Sequence, residues 1–147
     1  MNKKIKKIID KKNKSKIVCL TAYSKNIAEI VDNHADIVLV GDSLGSVLYN
    51  YKTTRKVNLK MMIEHTKSVR MGVKKSLLVI DLPYNTYRNK SEALKNSKVA
   101  IKETKCDAVK VEGGERVQHI VSYLVKNKIP VLCLLYTSDA ADDVASV

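Results

Sequence analysis

Short apolar runs alternate with stretches of helical periodicity along most of this chain. Five runs rich in Val, Ile and Leu have the length of strands, and they lie at residues 16–23, 36–41, 76–83, 107–114 and 129–135. Apolar residues recur between them at three- and four-residue spacing, which predicts helices over residues 24–34, 59–71, 91–105 and 116–127. Strands that alternate with helices through short turns form parallel sheets with right-handed crossovers. The pattern therefore predicts an α/β fold of about four and a half βα units.

Polar residues mark where these helices begin. Ser24, Asn58 and Ser91 each precede or open a helical pattern, as helix-capping residues do. In the first helix, Ile27, Ile30 and Val31 recur at helical spacing.

Two further segments lie outside this alternation. Residues 42–57 lack a clear apolar period and are expected to form a long polar loop. The lysine-rich residues 1–14 predict a short amphipathic lead-in helix with Ile5, Ile8 and Ile9 on one side.

The chain is strongly basic, and two explanations for the charge remain open. Its net charge is +12, lysine supplies 23 of the 27 basic residues, and seven of those lysines lie between residues 3 and 14. A basic nucleic-acid-binding module is one hypothesis. Arginine is scarce, however, and no aromatic residues are interleaved with the basic ones. The abundance of Lys, Ile and Asn together favours a biased composition, so no nucleic-acid partner is expected.

Length and composition limit the other classes of protein. A chain of 147 residues is long enough for one domain with a substantial core. No apolar run approaches the roughly 18 residues of a membrane span, so no membrane partner is expected. The cysteines at 19, 106 and 133 form no paired spacing, which favours a reducing, cytoplasmic location without disulfides or a zinc site.

Three acidic residues follow or end predicted strands. Asp42 follows the second strand, Asp81 lies at the end of the third and Glu112 ends the fourth. The carboxyl ends of parallel strands share one edge of the sheet, where ligands bind. Converging carboxylate oxygens favour Mg²⁺ or a similar ion, whereas each residue taken alone could be a helix cap or turn residue. The shared pattern favours a metal site.

Lys110 lies two residues before Glu112, so both side chains point to the same face of the fourth strand. A buried lysine is unfavourable unless it is paired with a carboxylate or an anionic ligand. A structural salt bridge and an anion-binding role are both open. Gly113 and Gly114 then permit a tight turn or close approach of a ligand.

The sequence "GDSL" at residues 41–44 raises the alternative that Ser43 is an esterase nucleophile. Such a serine needs a base within hydrogen-bond reach, and the hydrolase pattern expects a late Asp-x-x-His pair. None of His34, His65 and His119 has an aspartate three residues before it. The esterase hypothesis is therefore disfavoured.

Five ordered motifs together resemble the ketopantoate hydroxymethyltransferase family. They are "LTAY" (20–23), "DIVLVGDSLG" (36–45), "EHTKSVRMG" (64–72), "IDLPY" (80–84) and "DAVKVEGG" (107–114). The resemblance covers about residues 15–133.

The resemblance implies a (β/α)8 TIM barrel that uses Mg²⁺. It implies transfer of a hydroxymethyl group from 5,10-methylenetetrahydrofolate to 3-methyl-2-oxobutanoate through a metal-stabilised enolate, giving 2-dehydropantoate in pantothenate biosynthesis. By position, Asp42, Asp81 and Glu112 resemble the metal ligands, and Asp42, Ser43, Asp81 and Lys110 resemble the keto-acid contacts. It further implies a homo-oligomer. An alternative from the same chemistry is a related Mg²⁺-dependent barrel acting on phosphoenolpyruvate or 2-oxo acids.

The sequence departs from the family pattern at Ser24, where the family has an acidic residue, and after the fifth strand. Residues 129–147 contain no lysine or arginine, and the expected His-containing stretch is replaced by "YTSDAADDVASV". We expect a lead-in over residues 1–14, a C-terminally truncated barrel domain over 15–133 and a non-native tail over 134–147. The family's general-base glutamate would lie beyond this chain, which is therefore expected to be inactive alone.

Overall fold

A computed structural model of the chain describes residues 2–134, which contain a five-stranded parallel sheet. The strand order is β1-β2-β3-β4-β5, so each strand pairs with its neighbours in sequence. The strands are β1 Cys19–Thr21, β2 Ile37–Val40, β3 Leu77–Asp81, β4 Ala108–Glu112 and β5 Val131–Leu134. All five predicted strands are present, and their sequential order is that of a partial β/α barrel.

Six α-helices accompany the strands within the described residues. They are α1 Lys3–Asp10, α2 Lys25–Val31, α3 Leu44–Tyr49, α4 Leu59–Gly72, α5 Lys90–Thr104 and α6 Gln118–Lys126. Two short 3-10 helices span Thr54–Lys56 and Gly114–Val117. None of the helices in this part of the chain is long and apolar enough to cross a membrane.

The long polar loop expected over residues 42–57 is wrong, because it contains α3 and the first 3-10 helix. Leu44 and Gly45 are buried at the start of α3, where a Cβ on Gly45 would meet Val57 Cγ2 at 2.5 Å. Asn50 ends the helix in a left-handed conformation with φ 53°. Tertiary packing of Leu44 and Gly45 thus outweighs the weak local helix signal.

The residues that cap the helices agree only in part with those predicted from the sequence. The Asn58 side chain accepts a hydrogen bond from Met61 N at 3.0 Å, which confirms it as a cap. Ser24 precedes α2, but its side chain makes no capping bond. Ser91 is wrong as the start of α5: Asn89 is the cap, and its side chain accepts from Glu92 N at 2.9 Å.

The three apolar residues at helical spacing in α2 are not equally buried. Val31 packs against the main core, whereas Ile27 and Ile30 are 49% and 62% exposed; Ala28 is fully buried. A Cβ on Gly72 would meet Lys25 O at 2.6 Å and Ala28 Cβ at 2.8 Å, so the glycine lets α4 approach α2 closely. The small residues on both helices therefore select the buried face.

The sheet has two differently composed faces. Alternate residues such as Val38, Ile80 and Val109 belong to the main hydrophobic core. The opposite face begins with a smaller apolar cluster, composed of Ile37, Leu77, Val79 and Ala108. On that face, Asp81 follows Val79 and Lys110 follows Ala108 at the two-residue period of a strand, so the face becomes polar toward the carboxyl ends of the strands.

Aspartates at the amino-terminal ends of the strands bind backbone N–H groups. Asp36 precedes β2 and accepts from Val18 N at 3.0 Å. Asp107 precedes β4 and accepts from Leu78 N at 2.9 Å. Each carboxylate thus fastens the start of its strand to the neighbouring segment.

The same aspartates hold the lead-in helix α1. Lys11 Nζ donates to Asp36 at 2.7 Å, and Lys4 Nζ lies 3.8 Å from Asp107 Oδ2. Ile5 and Ile8 pack against the smaller apolar cluster, whereas Ile9 is 54% exposed. The expected helix is present, with two of its three isoleucines packed against the sheet.

Within the described residues, β1 and β5 each pair with only one strand. Near β1, Ile17, Val18 and Leu20 are exposed. Both strands are therefore edges of the sheet in this part of the chain, with apolar side chains exposed beside β1. Apart from Leu134, the predicted non-native tail lies outside the described residues.

Asp32 connects the end of α2 to the turn before β3, and its ionisation should affect stability. Its carboxylate accepts from Lys74 N at 2.9 Å and Ser76 N at 2.8 Å, and also from Lys75 N. Although burial opposes ionisation, these donors lower the pKa of Asp32 from 3.8 to about 2. Asp32→Asn should therefore cost about 2 kcal/mol at neutral pH.

The contribution of ionised Asp32 is present above the unfolded pKa of 3.8 and is lost as pH falls toward 2. Urea unfolding from pH 6 to 2 should show the difference between wild type and Asp32→Asn shrinking below about pH 4. Asp10→Asn, at the exposed end of α1, is the control. A pH-independent difference would contradict the prediction.

Candidate functional site

The candidate site is formed where β2, β3 and β4 end. Asp81 and Lys110 are Cα partners in the β3–β4 register, and Glu112 ends β4 two residues later. Asp42 and Ser43 follow β2 and precede α3. The sequence expectation that these strand ends meet at one edge of the sheet is confirmed by the parallel pairing.

Lys110 is buried between two carboxylates. Its Nζ donates to Asp81 Oδ2 at 2.7 Å and also contacts Glu112 Oε1. The residues Asp81 and Lys110 are 3% and 7% exposed. Although burial disfavours the ammonium, Asp81 and Glu112 raise the pKa of Lys110. The lysine is therefore held as a cation. Of the two roles left open by the sequence, the contacts observed here are those of a salt bridge.

The acidic side chains outnumber this single ammonium. Burial raises the pKa of Asp81 to about 7, with Lys110 opposing the rise and with Asp42 and Glu112 adding to it. Burial and the charge of Glu112 also raise the pKa of Asp42. The three carboxylates thus act on one another electrostatically, and the site has an excess of negative charge that another cation would offset.

The donor chemistry at this edge fits a magnesium ion, although the side chains do not form a ready-made ligand set. Among residues 2–134, no group of three His, Cys, Asp or Glu side chains is placed to hold a metal. Lys110 instead binds Asp81 and Glu112. Carboxylate oxygens and unbalanced negative charge are nevertheless what Mg²⁺ requires. Joint ligation by Asp42, Asp81 and Glu112 stays a prediction.

Ser43 is paired with a tyrosine hydroxyl. Ser43 Oγ and Tyr23 Oη lie 2.8 Å apart, and in the described part of the chain no histidine bonds to Ser43. Gly41 lies close to this hydroxyl, since a Cβ there would meet Ser43 Oγ at 2.9 Å. The arrangement lacks the base that a serine nucleophile needs, in agreement with the sequence argument against an esterase.

His65 supports the segment that carries Tyr23. Its Nδ1 lies 2.8 Å from Tyr23 O, so Nδ1 carries the hydrogen and Nε2 accepts from Tyr49 Oη at 3.0 Å. Sequence reasoning missed Tyr23 and gave His65 no part in the site. The signal was their presence in "LTAY" and "EHTKSVRMG". His34 is exposed after α2, and His119 is exposed in the first turn of α6.

An open cleft of about 880 Å³ borders these strand ends. Asp42 and Glu112 line it, whereas Asp81 and Lys110 lie outside its lining. The remaining lining includes Tyr84, Tyr87, His119 and three arginines, which are Arg55, Arg88 and Arg116. The site therefore combines a buried charged group with an accessible space able to hold a small ligand.

Comparison with known proteins assigns the chain to a family. The model of the family described as ketopantoate hydroxymethyltransferase matches residues 2–136. This chain belongs to the ketopantoate hydroxymethyltransferase family. The match includes α1 and all five strands, so it begins earlier than the resemblance expected from about residue 15.

Curated relatives agree with this family. A 3-methyl-2-oxobutanoate hydroxymethyltransferase from Pelagibacter ubique is 67% identical over 132 residues, covering 90% of this chain and 51% of the relative. Another from Rhizobium etli is 49% identical over 117 residues, covering 79% of this chain and 43% of the relative. The chain thus spans about half the length of the relatives it matches.

Solved structures show the same fold. A phosphonopyruvate hydrolase in complex with oxalate and Mg²⁺ aligns with a TM-score of 0.70 at 11% identity, covering 90% of this chain and 52% of that one. A 2,3-dimethylmalate lyase, a member of the PEP mutase/isocitrate lyase superfamily, aligns with a TM-score of 0.64 at 10% identity, covering 90% and 51%. The predicted TIM-barrel class is confirmed, with this chain forming part of the barrel.

Replacing Lys110 should raise the pKa of Asp81 still further. Lys110→Gln removes the ammonium that opposes the effect of burial, so Asp81 should titrate above its wild-type value of about 7. Carbon-13 NMR of labelled aspartate carboxyl groups would follow the titration. Lys98→Gln, on the exposed surface of α5, should leave it unchanged. An equal or lower midpoint in Lys110→Gln would contradict this account.

Proposed function

We propose that this chain provides the keto-acid-binding part of a 3-methyl-2-oxobutanoate hydroxymethyltransferase. The observation that carries the proposal is Lys110, a cation held between Asp81 and Glu112 in a chain of this family. Asp42 and Ser43 follow the adjacent strand at the same edge. These groups match the needs of an anionic keto acid and a metal ion.

Lys110 and Ser43 would orient the keto acid. The ammonium would offset the charge of the substrate carboxylate as its contacts with Asp81 and Glu112 rearrange. A phenol is a better hydrogen-bond donor than an aliphatic hydroxyl, so Tyr23 Oη is expected to donate to Ser43 Oγ. Ser43 would then have its own hydrogen available for a substrate oxygen. Because His65 binds the Tyr23 carbonyl, it would keep this pair in position.

Asp42 and Asp81 are the side chains that would hold Mg²⁺, with Glu112 as a further carboxylate nearby. When bound, Mg²⁺ would supply Lewis-acid polarisation of the keto-acid oxygens. The protein's part is to gather the carboxylates and limit access of water, and the raised pKa values of Asp42 and Asp81 follow from that burial.

The family name and the keto-acid chemistry support the finer parts of the proposal. The one-carbon donor would be 5,10-methylenetetrahydrofolate, and the product 2-dehydropantoate, in pantothenate biosynthesis. We further propose a cytoplasmic homo-oligomeric enzyme. The phosphonopyruvate hydrolase likeness is one of fold alone at 11% identity, so we do not extend that enzyme's substrate to this chain.

The proposal predicts Mg²⁺-dependent binding of 3-methyl-2-oxobutanoate, measured by isothermal titration calorimetry of the 147-residue chain. Asp42→Asn should abolish the dependence on Mg²⁺ because it removes a charged ligand. Ser43→Ala should weaken keto-acid binding about fivefold, the effect of losing one neutral hydrogen bond. Ser46→Ala, an exposed serine on α3, is the matched control.

Two results would contradict this function. One is keto-acid binding that is indifferent to both Mg²⁺ and Asp42→Asn. The other is tighter Mg²⁺-dependent binding of phosphoenolpyruvate than of 3-methyl-2-oxobutanoate, which would favour the related class of barrel enzymes.

A further inference from the structure

The arginines of this chain are concentrated around one cleft. The sequence contains 23 lysines and only four arginines, at positions 55, 70, 88 and 116. Three of those arginines line the cleft beside the strand ends, and none of the lysines in the described part of the chain does. Three of the four arginines in this lysine-rich chain therefore lie at this one place. Arginine differs from lysine in presenting a planar fork that binds carboxylates with two hydrogen bonds.

The three arginines are not equivalent. Arg88 is already neutralised, because its Nη2 lies 2.9 Å from Glu92 Oε1 and its Nε donates to Glu92 Oε2 at 3.1 Å. Within residues 2–134, Arg55 and Arg116 form no salt bridge. The guanidinium carbon of Arg55 lies 5.0 Å from the centre of the Tyr84 ring, which limits its orientations. Arg55 and Arg116 are therefore the charges available to a ligand.

The lining of the cleft contains side chains of both charges. Asp42 and Glu112 line it at the strand ends, while Arg55 and Arg116 extend from the two 3-10 helices that follow β2 and β4. A ligand with carboxylates at one end would be repelled from the strand ends and attracted to the arginines. The exposed Tyr84 ring offers an aromatic surface beside them. Such a ligand would have an aromatic body and an anionic tail.

We propose that Arg55 and Arg116 bind the glutamyl carboxylates of the folate co-substrate. This inference rests on the proposed function, since it takes a reduced folate as the one-carbon donor. It assigns the two arginines to positioning the co-substrate: the anionic tail lies at the arginines, and the one-carbon end is thereby directed to the strand ends. A folate with a longer glutamyl chain carries more carboxylates and should bind more tightly.

The test compares two forms of one ligand. Fluorescence or calorimetric titration of the chain would measure binding of 5-formyltetrahydrofolate, an air-stable analogue, with one and with three glutamyl groups. We expect the wild type to bind the triglutamate more tightly. Arg55→Gln and Arg116→Gln should each reduce that preference about fivefold, as expected for loss of one charge-assisted contact. Because the preference is a ratio within one preparation, a loss of folded protein does not alter it.

Lys126→Gln removes the same charge at the opposite end of α6 and should leave the preference unchanged. Equal binding of the two folates by the wild type, or an equal loss in Lys126→Gln, would overturn the inference. Keto-acid binding measured on the same samples separates the two proposals. If it remains Mg²⁺-dependent while the folate preference is absent, only the arginine assignment is wrong. If keto-acid binding is absent as well, the proposed function fails too.

Discussion

The ammonium of Lys110 determines how the acidic strand ends of this molecule coexist. Carboxylates from neighbouring strands repel one another, and the repulsion grows where little water remains to screen them. Because Asp81 is nearly inaccessible to water, its pKa is raised to about 7. The rise persists although the Lys110 ammonium lies 2.7 Å away. One cation therefore balances the site only in part. The raised pKa of Asp81 reflects the part of the burial and repulsion that Lys110 does not offset.

The two ends of the sheet satisfy their acidic groups in different ways. At the amino-terminal ends, Asp32, Asp36 and Asp107 accept hydrogen bonds from backbone N–H groups. Those donors are fixed by the chain's own course, so the carboxylates there stabilise the fold. At the carboxyl ends, Asp81 and Glu112 instead contact the side-chain ammonium of Lys110. This division matches the separation of stability and ligand binding between the two ends of β/α barrels.

The sequence permitted prediction of those features that depend on local pattern and topology. Alternation of apolar runs and helical periods predicted the parallel strands, and it placed Asp42, Asp81 and Glu112 at one edge. Features that depend on distant residues were missed. The buried face of α2 depends on Gly72 in α4, and α3 depends on packing of Gly45 against Val57. The use of Asn89 in place of Ser91 as a cap depends on backbone angles that residue type does not determine.

The site was predictable in its members but not in its contacts. Spacing showed that Lys110 and Glu112 share a face, but the position of the ammonium between two carboxylates depends on the register of β3 with β4. The pairing of Tyr23 with Ser43 joins two turns that are far apart in sequence, so no short motif reveals it.

The helix α1 is attached to the sheet through aspartates that also hold the strands together. Lys11 and Lys4 bind carboxylates that already accept backbone N–H bonds from Val18 and Leu78. If α1 detached, those backbone bonds would remain, whereas loss of either aspartate would weaken both the strand connection and the helix contact. For these polar contacts the dependence therefore runs in one direction, from the helix to the sheet. The apolar contacts differ, because Ile5 and Ile8 cover side chains of the sheet that would face water if α1 detached.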